Sequence, residues 1–116
     1  MVIKGEVIAG QQLGRRMGFP TANIAAENID IPNGVYASTV ELDGKRYRAM
    51  SNIGVRPSVD GRQRLLETYL FDFDGDLYGR TISVRLDKRI RDERKFGSVE
   101  ELQAQLKSDA EVISSL

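Results

Sequence analysis

The chain has 116 residues, which suffices for one domain with its own core and leaves no room for a second. Hydrophobic residues make up 41% and charged residues 29%, so the composition is that of a globular protein rather than a disordered or fibrous one. Seventeen Lys and Arg balance seventeen Asp and Glu. This neutrality gives no electrostatic reason to expect a nucleic acid or an anionic membrane as a partner.

The chain contains no Cys and no His. Disulfides, thiolate nucleophiles, Cys/His zinc sites and imidazole bases are therefore excluded, and any proton transfer would rest on a carboxylate, a Lys or a Tyr. The opening residues MVIKGEVIAG are too short and too polar for the apolar core of a signal peptide. No apolar run approaches the roughly 20 residues that span a bilayer, so we expect a cytoplasmic protein without a membrane partner.

Two stretches in the first two-thirds of the chain show no alternation of apolar and polar residues. They run from Gly10 to Pro32 and from Gly54 to Arg64, and both are rich in Gly, Pro, Asn and Asp. Such composition predicts loops, and loops of this length usually carry function.

The remaining residues up to about Arg91 alternate with the period of two that is typical of strands. The clearest pair is a hairpin of Gly34–Leu42 and Lys45–Asn52, because the Asp-Gly between them supplies the positive φ angles of a type I′ turn. Two more strands are predicted at Leu65–Phe73 and Thr81–Asp87. Short strands at regular spacing predict a β-barrel or a sandwich.

The end of the chain changes to a helical period. Ser98 and Glu101 have the spacing of a capping box, in which two side chains satisfy the free amides of the first helical turn. The predicted helix covers about residues 98–115, and its apolar face consists of Val99, Leu102, Leu106, Ala110 and Ile113. We expect it to pack on the outside of the barrel or to close one end.

A glycine-rich loop is the first candidate site. Gly10, Gly14 and Gly18 stand four residues apart, and Arg15 and Arg16 lie among them. Backbone amides in such turns can cradle a phosphate together with guanidinium groups, although neither GxxxxGK[ST] nor GxGxxG is present. The spacing alone favours an ordinary glycine-rich connection with solvated arginines.

Thr21 and Asn23 follow Pro20 directly. In an extended segment alternate residues point to the same side, and a hydroxyl and an amide oxygen on one side suit a magnesium ion that takes its other oxygens from phosphates and water. A turn in which both side chains bond their own backbone is the simpler interpretation of the pair by itself.

Glu67 is the best candidate for a base. Its neighbours at steps of two along the predicted strand are Leu65, Tyr69, Phe71 and Phe73. A carboxylate on an otherwise apolar face is either tied in a structural ion pair or desolvated so that it can accept a proton, and the ion pair is the commoner case.

The segment DKRIRDERKF, which precedes the helix, mixes positive and negative side chains. It fits a solvated connection. Its functional alternative is a flap that closes over a ligand, with charged side chains from a loop next to a capped helix.

Five segments in this order are more specific than any one of them: GQQLGRRMGFPTANI, NGVYAS, SNIGVRPS, LLETYLFDFDGDLYG and IRDERKFGSVEEL. Together they resemble riboflavin kinase (flavokinase), including the kinase module that forms the C-terminal half of bifunctional FAD synthetase in many bacteria. The resemblance extends from about Lys4 to Asp109. It implies a mainly β protein, a six-stranded antiparallel Greek-key barrel with a C-terminal helix, in which residues to about 91 form the barrel and residues 88–97 the flap.

The resemblance also implies the reaction and its residues. The family transfers the γ-phosphoryl group of ATP to the ribityl 5′-hydroxyl of riboflavin, which gives FMN and ADP. Thr21 and Asn23 match the magnesium and phosphate ligands, and the loop with Gly10, Gly14, Arg15 and Gly18 matches the one that covers the phosphates. Glu67 matches the general base. Arg91 and Glu93 match the flap that closes on the flavin.

The implied cofactor is Mg²⁺, with Zn²⁺ or Mn²⁺ as alternatives, and the implied setting is a standalone enzyme or a module joined to an FAD synthetase adenylyltransferase domain. The chain departs from the common family pattern at Ser58, Tyr69 and Asp92.

Two other functions compete with catalysis. The first is a barrel that binds a flavin or a nucleotide without turnover. The second is a barrel that binds single-stranded nucleic acid, but the zero net charge and the lack of Trp argue against it.

Overall fold

The computed structural model describes residues 2–8, 21–27, 29–58, 61–71, 73, 77–93 and 97–115. These residues form one antiparallel sheet and a helix. The elements are β1 (Val2–Glu6), β2 (Thr21–Ala25), β3 (Gly34–Leu42), β4 (Lys45–Ser58), β5 (Gly61–Leu70), β6 (Thr81–Arg91) and α1 (Val99–Ser114).

The six strands follow the order β1-β6-β3-β4-β5-β2, and they curl into a nearly closed barrel. The sheet's two end strands approach each other where Ile8 forms an isolated bridge with Asn23 and donates its amide to the Asn23 carbonyl at 2.7 Å. Gly5 permits this approach, because a Cβ there would lie 2.6 Å from Cγ2 of Ile24. The predicted barrel is thus confirmed.

The inside of the barrel is filled by alternate residues of the strands. On β5, for example, Leu66 and Leu70 are fully buried in this core. The other members contributed by the strands are Ile3, Ala22, Ile24, Tyr36, Val40, Leu42, Ala49, Ile53, Ile82 and Val84. Since side chains alternate across a strand, the residues between these positions point to the outer face of the sheet.

Three hydroxyl groups cross the barrel interior as a chain. The Ser51 hydroxyl lies 2.8 Å from that of Ser38 on β3 and 2.8 Å from that of Thr68 on β5, and all three residues are buried. Each hydroxyl can both donate and accept, so the chain satisfies polar groups that would otherwise be costly in an apolar core. It also ties three neighbouring strands to one another at a fixed register.

Helix α1 packs on the outer face of the sheet, as one of the two predicted placements has it. Leu106 and Ile113 are buried in a second apolar cluster with Val35, Ala37, Met50 and Tyr69. The Ser98 side chain accepts from the Glu101 amide at 3.2 Å, and the Glu101 carboxylate accepts from the Gly97 amide rather than from Ser98. The predicted N-cap is therefore confirmed, and α1 is not long and apolar enough to span a membrane.

The hairpin predicted for β3 and β4 is confirmed, because Leu42 pairs with Lys45 across a turn with positive φ at Asp43 and Gly44. The loop predictions are wrong in part. Residues 21–25 of the first predicted loop form β2, and the second is largely a continuation of the hairpin of β4 and β5, with Ser58 opposite Gly61. The strand predicted to reach Phe73 ends at Leu70, whereas β6 continues to Arg91.

These differences have a physical reason. β2 is only five residues long, and it contributes Ala22 and Ile24 to the core on either side of Asn23, so the strand is too short for the period of two to stand out. The far ends of β4 and β5 extend beyond the core, where Val55 and Arg62 are exposed, and these ends need no apolar alternation.

Arg64 on β5 holds the segment that follows β2. Its guanidinium donates to the carbonyl oxygens of Ala26, Ile29 and Ile31 and to Oδ1 of Asn33. Because carbonyl groups in an irregular segment have no ladder partners, one planar donor that satisfies several of them fixes the path of the chain between β2 and β3.

We expect Ser51→Ala to destabilise the protein, because it removes the hydroxyl that both Ser38 and Thr68 contact. Leaving buried hydroxyls without their partner costs about 1–3 kcal/mol, which urea unfolding followed by circular dichroism would measure. Ser108→Ala, at an exposed position of α1, is the control and should change the free energy of unfolding by no more than about 0.5 kcal/mol. Equal effects of the two variants would contradict a structural role for the hydroxyl chain.

Candidate active site

Three polar side chains stand in one row across β2, β5 and β4. Glu67 on β5 pairs with Asn23 on one side and with Asn52 on the other. Residues directly opposite each other in an antiparallel sheet project to the same face, with Cβ atoms about 5 Å apart. The register therefore places the Glu67 carboxyl group between two amides, and we call this set the Glu67 row.

The Glu67 row lies on the outer face of the sheet, which also carries α1. Glu67 is flanked along β5 by the buried Leu65 and Tyr69, and Tyr69 belongs to the cluster beneath the helix. The predicted apolar surroundings of this carboxylate are confirmed for these two neighbours. Glu67 does not point into the barrel interior, because Leu66 and Thr68 occupy that side of the strand.

Both amides of the Glu67 row contain a buried oxygen without a partner. Oδ1 of Asn23 and Oδ1 of Asn52 have no hydrogen bond within the described part of the chain, and Asn23 is only 5% exposed. A buried polar atom left without a hydrogen bond costs about 1–3 kcal/mol, and in native proteins such an atom usually has a water, an ion or a ligand as its partner. The two oxygens of the row are therefore available to such a partner.

A hard cation fits the Asn23 end of the row. An amide oxygen is a ligand that Mg²⁺ accepts together with phosphate oxygens and water, and the orphaned oxygen of Asn23 is available for it. Thr21, the other predicted ligand, lies two residues earlier on β2, where its backbone pairs with Tyr69, and its side chain is not among those described. Among the residues described, no cluster of three or more acidic residues offers an alternative cation site.

The predicted phosphate loop cannot be compared with the structure, since Gly10, Gly14, Arg15 and Gly18 lie outside the described residues. What is described is the strand that follows it. β2 begins at Thr21, so the chain enters the Glu67 row directly from that loop.

Arg91 lies at the far end of the same row. Val35 on β3 pairs with Asn52 and, on its other side, with Arg91 of β6. The guanidinium binds the Asp109 carboxylate of α1 through two bonds, of 3.1 Å and 2.8 Å. Gln105 donates to that carboxylate at 3.0 Å.

This ion pair is largely withdrawn from solvent, with side-chain exposures of 20% for Arg91 and 3% for Asp109. Arg91 was predicted to face the flavin. In the structure two guanidinium nitrogens of Arg91 bind Asp109 of α1. Arg91 therefore links the start of the predicted flap to the helix.

The departure from the family pattern at Asp92 has a structural counterpart. Asp92 accepts a hydrogen bond from Arg89 at 2.5 Å, and Arg89 also donates to the carbonyl of Asn33 at 3.2 Å. The Asp92 hydrogen bond raises the pKa of Arg89 above its ordinary value. Glu93 follows and is half-buried. The described start of the predicted flap is thus held by the ion pairs Arg89–Asp92 and Arg91–Asp109.

Sequence reasoning missed two residues of this region, Asn52 and Asp109. Asn52 lies in a predicted strand, but its proximity to Glu67 depends on the register of β4 against β5, which no local pattern reveals. The unusual position of Asp109 could have been recognised from the sequence. It stands three residues after Leu106 and four before Ile113, which puts an acidic residue on the apolar face of the helix.

Asp109→Ala should lower the free energy of unfolding by about 3 kcal/mol, because it leaves the partly buried Arg91 without its counter-charge. Asp92→Ala is the matched control, since it also removes an aspartate paired with an arginine of β6, but at a site 87% exposed. Solvated pairs contribute no more than about 1 kcal/mol. Urea unfolding of both variants would test the difference, and equal losses would contradict a specific role for the buried pair.

The family model of flavokinase, described as riboflavin kinase, matches residues 1–116. Among curated proteins, the RNA-binding riboflavin kinase RibR of Bacillus subtilis (strain 168) is 40% identical over 97% of this chain and 50% of its own length. The bifunctional riboflavin kinase/FMN adenylyltransferase of Escherichia coli (strain K12) is 47% identical over 92% of this chain and 35% of its own length. The chain thus spans half or less of these two relatives.

Two solved structures show the same fold. One, described as a macrolide-efflux protein from Streptococcus pneumoniae, superposes with a TM-score of 0.86 at 40% identity and covers 99% of this chain and 38% of its own. The riboflavin kinase from Trypanosoma brucei superposes with a TM-score of 0.64 at 24% identity, over 98% of this chain and 77% of its own. The match along the full chain, in sequence and in fold, shows that the protein belongs to the riboflavin kinase (flavokinase) family.

Proposed function

We propose that this chain transfers the γ-phosphoryl group of ATP to the ribityl 5′-hydroxyl of riboflavin and releases FMN and ADP. The observation that carries the proposal is the Glu67 row, in which one carboxylate stands between two amides whose buried oxygens have no partner in the described structure. We infer the identity of the substrates from membership of the riboflavin kinase family. Phosphoryl transfer needs positioned oxygens and charge neutralisation more than covalent chemistry, and the row offers such groups.

Glu67 is the general base of this reaction. Its carboxylate accepts the proton of the 5′-hydroxyl while that oxygen forms a bond to the γ-phosphorus and the bond from this phosphorus to the β,γ-bridging oxygen breaks. ADP leaves with that oxygen. A base must come within about 3 Å of the proton's oxygen, or one water away, and a residue at the centre of a strand paired on both sides holds its position well.

Thr21 and Asn23 would hold the metal ion, which we propose to be Mg²⁺. When bound, it neutralises the charge of the phosphate oxygens. The loop with Gly10, Gly14, Arg15 and Gly18 covers the phosphates, since it leads directly into β2. Asn23 orients the nucleotide side of the site from its place beside Glu67.

Arg91 and Glu93 act on the flavin side of the site. Arg91 fixes the start of the flap through its bond to Asp109, and residues beyond it close on the flavin. In a longer protein this chain would be the kinase module joined to an adenylyltransferase domain, as the bifunctional relatives are described.

Incubation of the purified chain with riboflavin, ATP and Mg²⁺ should yield FMN, which chromatography detects, and omission of ATP should abolish it. Glu67→Gln preserves the size of the side chain but removes the base, so the rate should fall by about 10²- to 10⁴-fold. Glu41→Gln, at an exposed position of β3, should leave the rate unchanged.

Riboflavin binding without ATP-dependent FMN would contradict the kinase function and identify a binding barrel. FMN formation at a near-normal rate by Glu67→Gln would instead retain the function and remove Glu67 from the mechanism.

A further inference from the structure

The side chain of Asn52 stands beside Glu67 without a part in the mechanism above. It projects from β4 on the opposite side of Glu67 from Asn23. Its Oδ1 is buried and has no hydrogen bond within the described residues, which is equally true of Asn23. The two orphaned oxygens thus flank the same carboxylate from neighbouring strands.

This placement is informative because a buried polar atom without a hydrogen bond lowers the stability of the protein. In native structures such an atom usually has a ligand or a water as its partner. In the described residues the two such side-chain atoms occur in one row rather than at unrelated places. A shared ligand site accounts for both.

The surroundings distinguish the two amides. Asn23 follows the predicted phosphate loop, on the side where the nucleotide enters. Asn52 faces the centre of the sheet, where its neighbour across β3 is the apolar Val35 and the next residue of the row is Arg91, at the start of the flap. In-line transfer puts the acceptor oxygen and the leaving ADP on opposite sides of the γ-phosphorus, so a nucleotide bound at the Asn23 end of the row leaves the Asn52 end for the acceptor.

We propose that the Asn52 amide binds the polyol chain of the acceptor, with hydrogen bonds to ribityl hydroxyls next to the one that Glu67 deprotonates. An amide offers one acceptor oxygen and two donor hydrogens without charge, which suits hydroxyl groups that both donate and accept. It also adds no negative charge beside the base. This assignment rests on the proposed function, since the polyol belongs to riboflavin.

Two flavins separate a polyol contact from a ring contact. Lumiflavin carries the isoalloxazine ring of riboflavin with a methyl group in place of the ribityl chain. Fluorescence titrations with ADP and Mg²⁺ present should show that Asn52→Ala weakens riboflavin binding by about 3- to 10-fold, the value of a neutral hydrogen bond. Lumiflavin binding should change less than about twofold, because the ring does not contact Asn52.

Asn23→Ala is the matched control, because it removes the amide on the other side of Glu67. It should weaken ADP binding in the presence of Mg²⁺ and leave riboflavin binding nearly unchanged. If Asn52→Ala does not fold, as judged by circular dichroism, Asn52→Ser provides a short side chain that does not reach the ligand and takes its place in the same titrations.

Equal weakening of both flavins, or of neither, would overturn the assignment of Asn52. These titrations involve no turnover, so they are independent of the FMN assay. Formation of FMN by the unaltered chain together with an unchanged riboflavin affinity in the variant would leave the kinase function intact and remove Asn52 alone. Failure of the unaltered chain to bind riboflavin would overturn both proposals.

Discussion

The register of β5 between β4 and β2 is the constraint on which the site depends. Because β5 is paired on both sides, a single register decides that Asn23, Glu67 and Asn52 share one row. A slip by one residue would turn Glu67 into the apolar interior and bring Leu66 to the outer face. Such a slip would bury a carboxylate among leucines, so the core itself opposes it.

Contacts on the interior face and at the strand ends hold that register. Thr68, next to Glu67 along the chain, belongs to the hydroxyl chain with Ser51 and Ser38. Three residues before Glu67, Arg64 binds the carbonyl groups after β2. The outer face can therefore carry the two amide oxygens of Asn23 and Asn52 that have no described partner. The interior face and the segment after β2, which Arg64 holds, provide the stability.

Helix α1 contributes to the candidate site in two ways. Its apolar face covers the sheet beside the Glu67 row, and Arg48 donates to the carbonyl of Ile113 near its end at 3.0 Å. Asp109 holds Arg91 at the end of β6. Helix α1 thus packs on the sheet beside Glu67, the proposed base, and fixes the start of the segment proposed to close on the flavin.

Sequence patterns predicted those features of the fold that depend on residues close to one another in the chain. The Asp-Gly turn, the capping serine and the alternation in the first part of β6, where Ile82 and Val84 are buried, depend on neighbours in sequence, and each is present. Glu67 was identifiable for the same reason, as a carboxylate among apolar residues at steps of two. β2 was missed because it is only five residues long and contributes just Ala22 and Ile24 to the core, too few for the apolar period to stand out.

Other features were beyond any local pattern. The face on which Glu67 lies depends on which side of β5 the barrel closes around, and the position of Asn52 depends on pairing over fifteen residues of chain. The position of Asp109 on the helix face could be predicted from its spacing, but its partner on β6, Arg91, could not.

A crystal structure of the chain with riboflavin, ADP and Mg²⁺ would test the central claim most directly. The account predicts the ribityl 5′-oxygen within about 3 Å of a Glu67 carboxylate oxygen, or one water away, with the ADP phosphates on the Asn23 side and the polyol on the Asn52 side. A flavin bound inside the barrel, or on the outer face away from the Glu67 row, would contradict it.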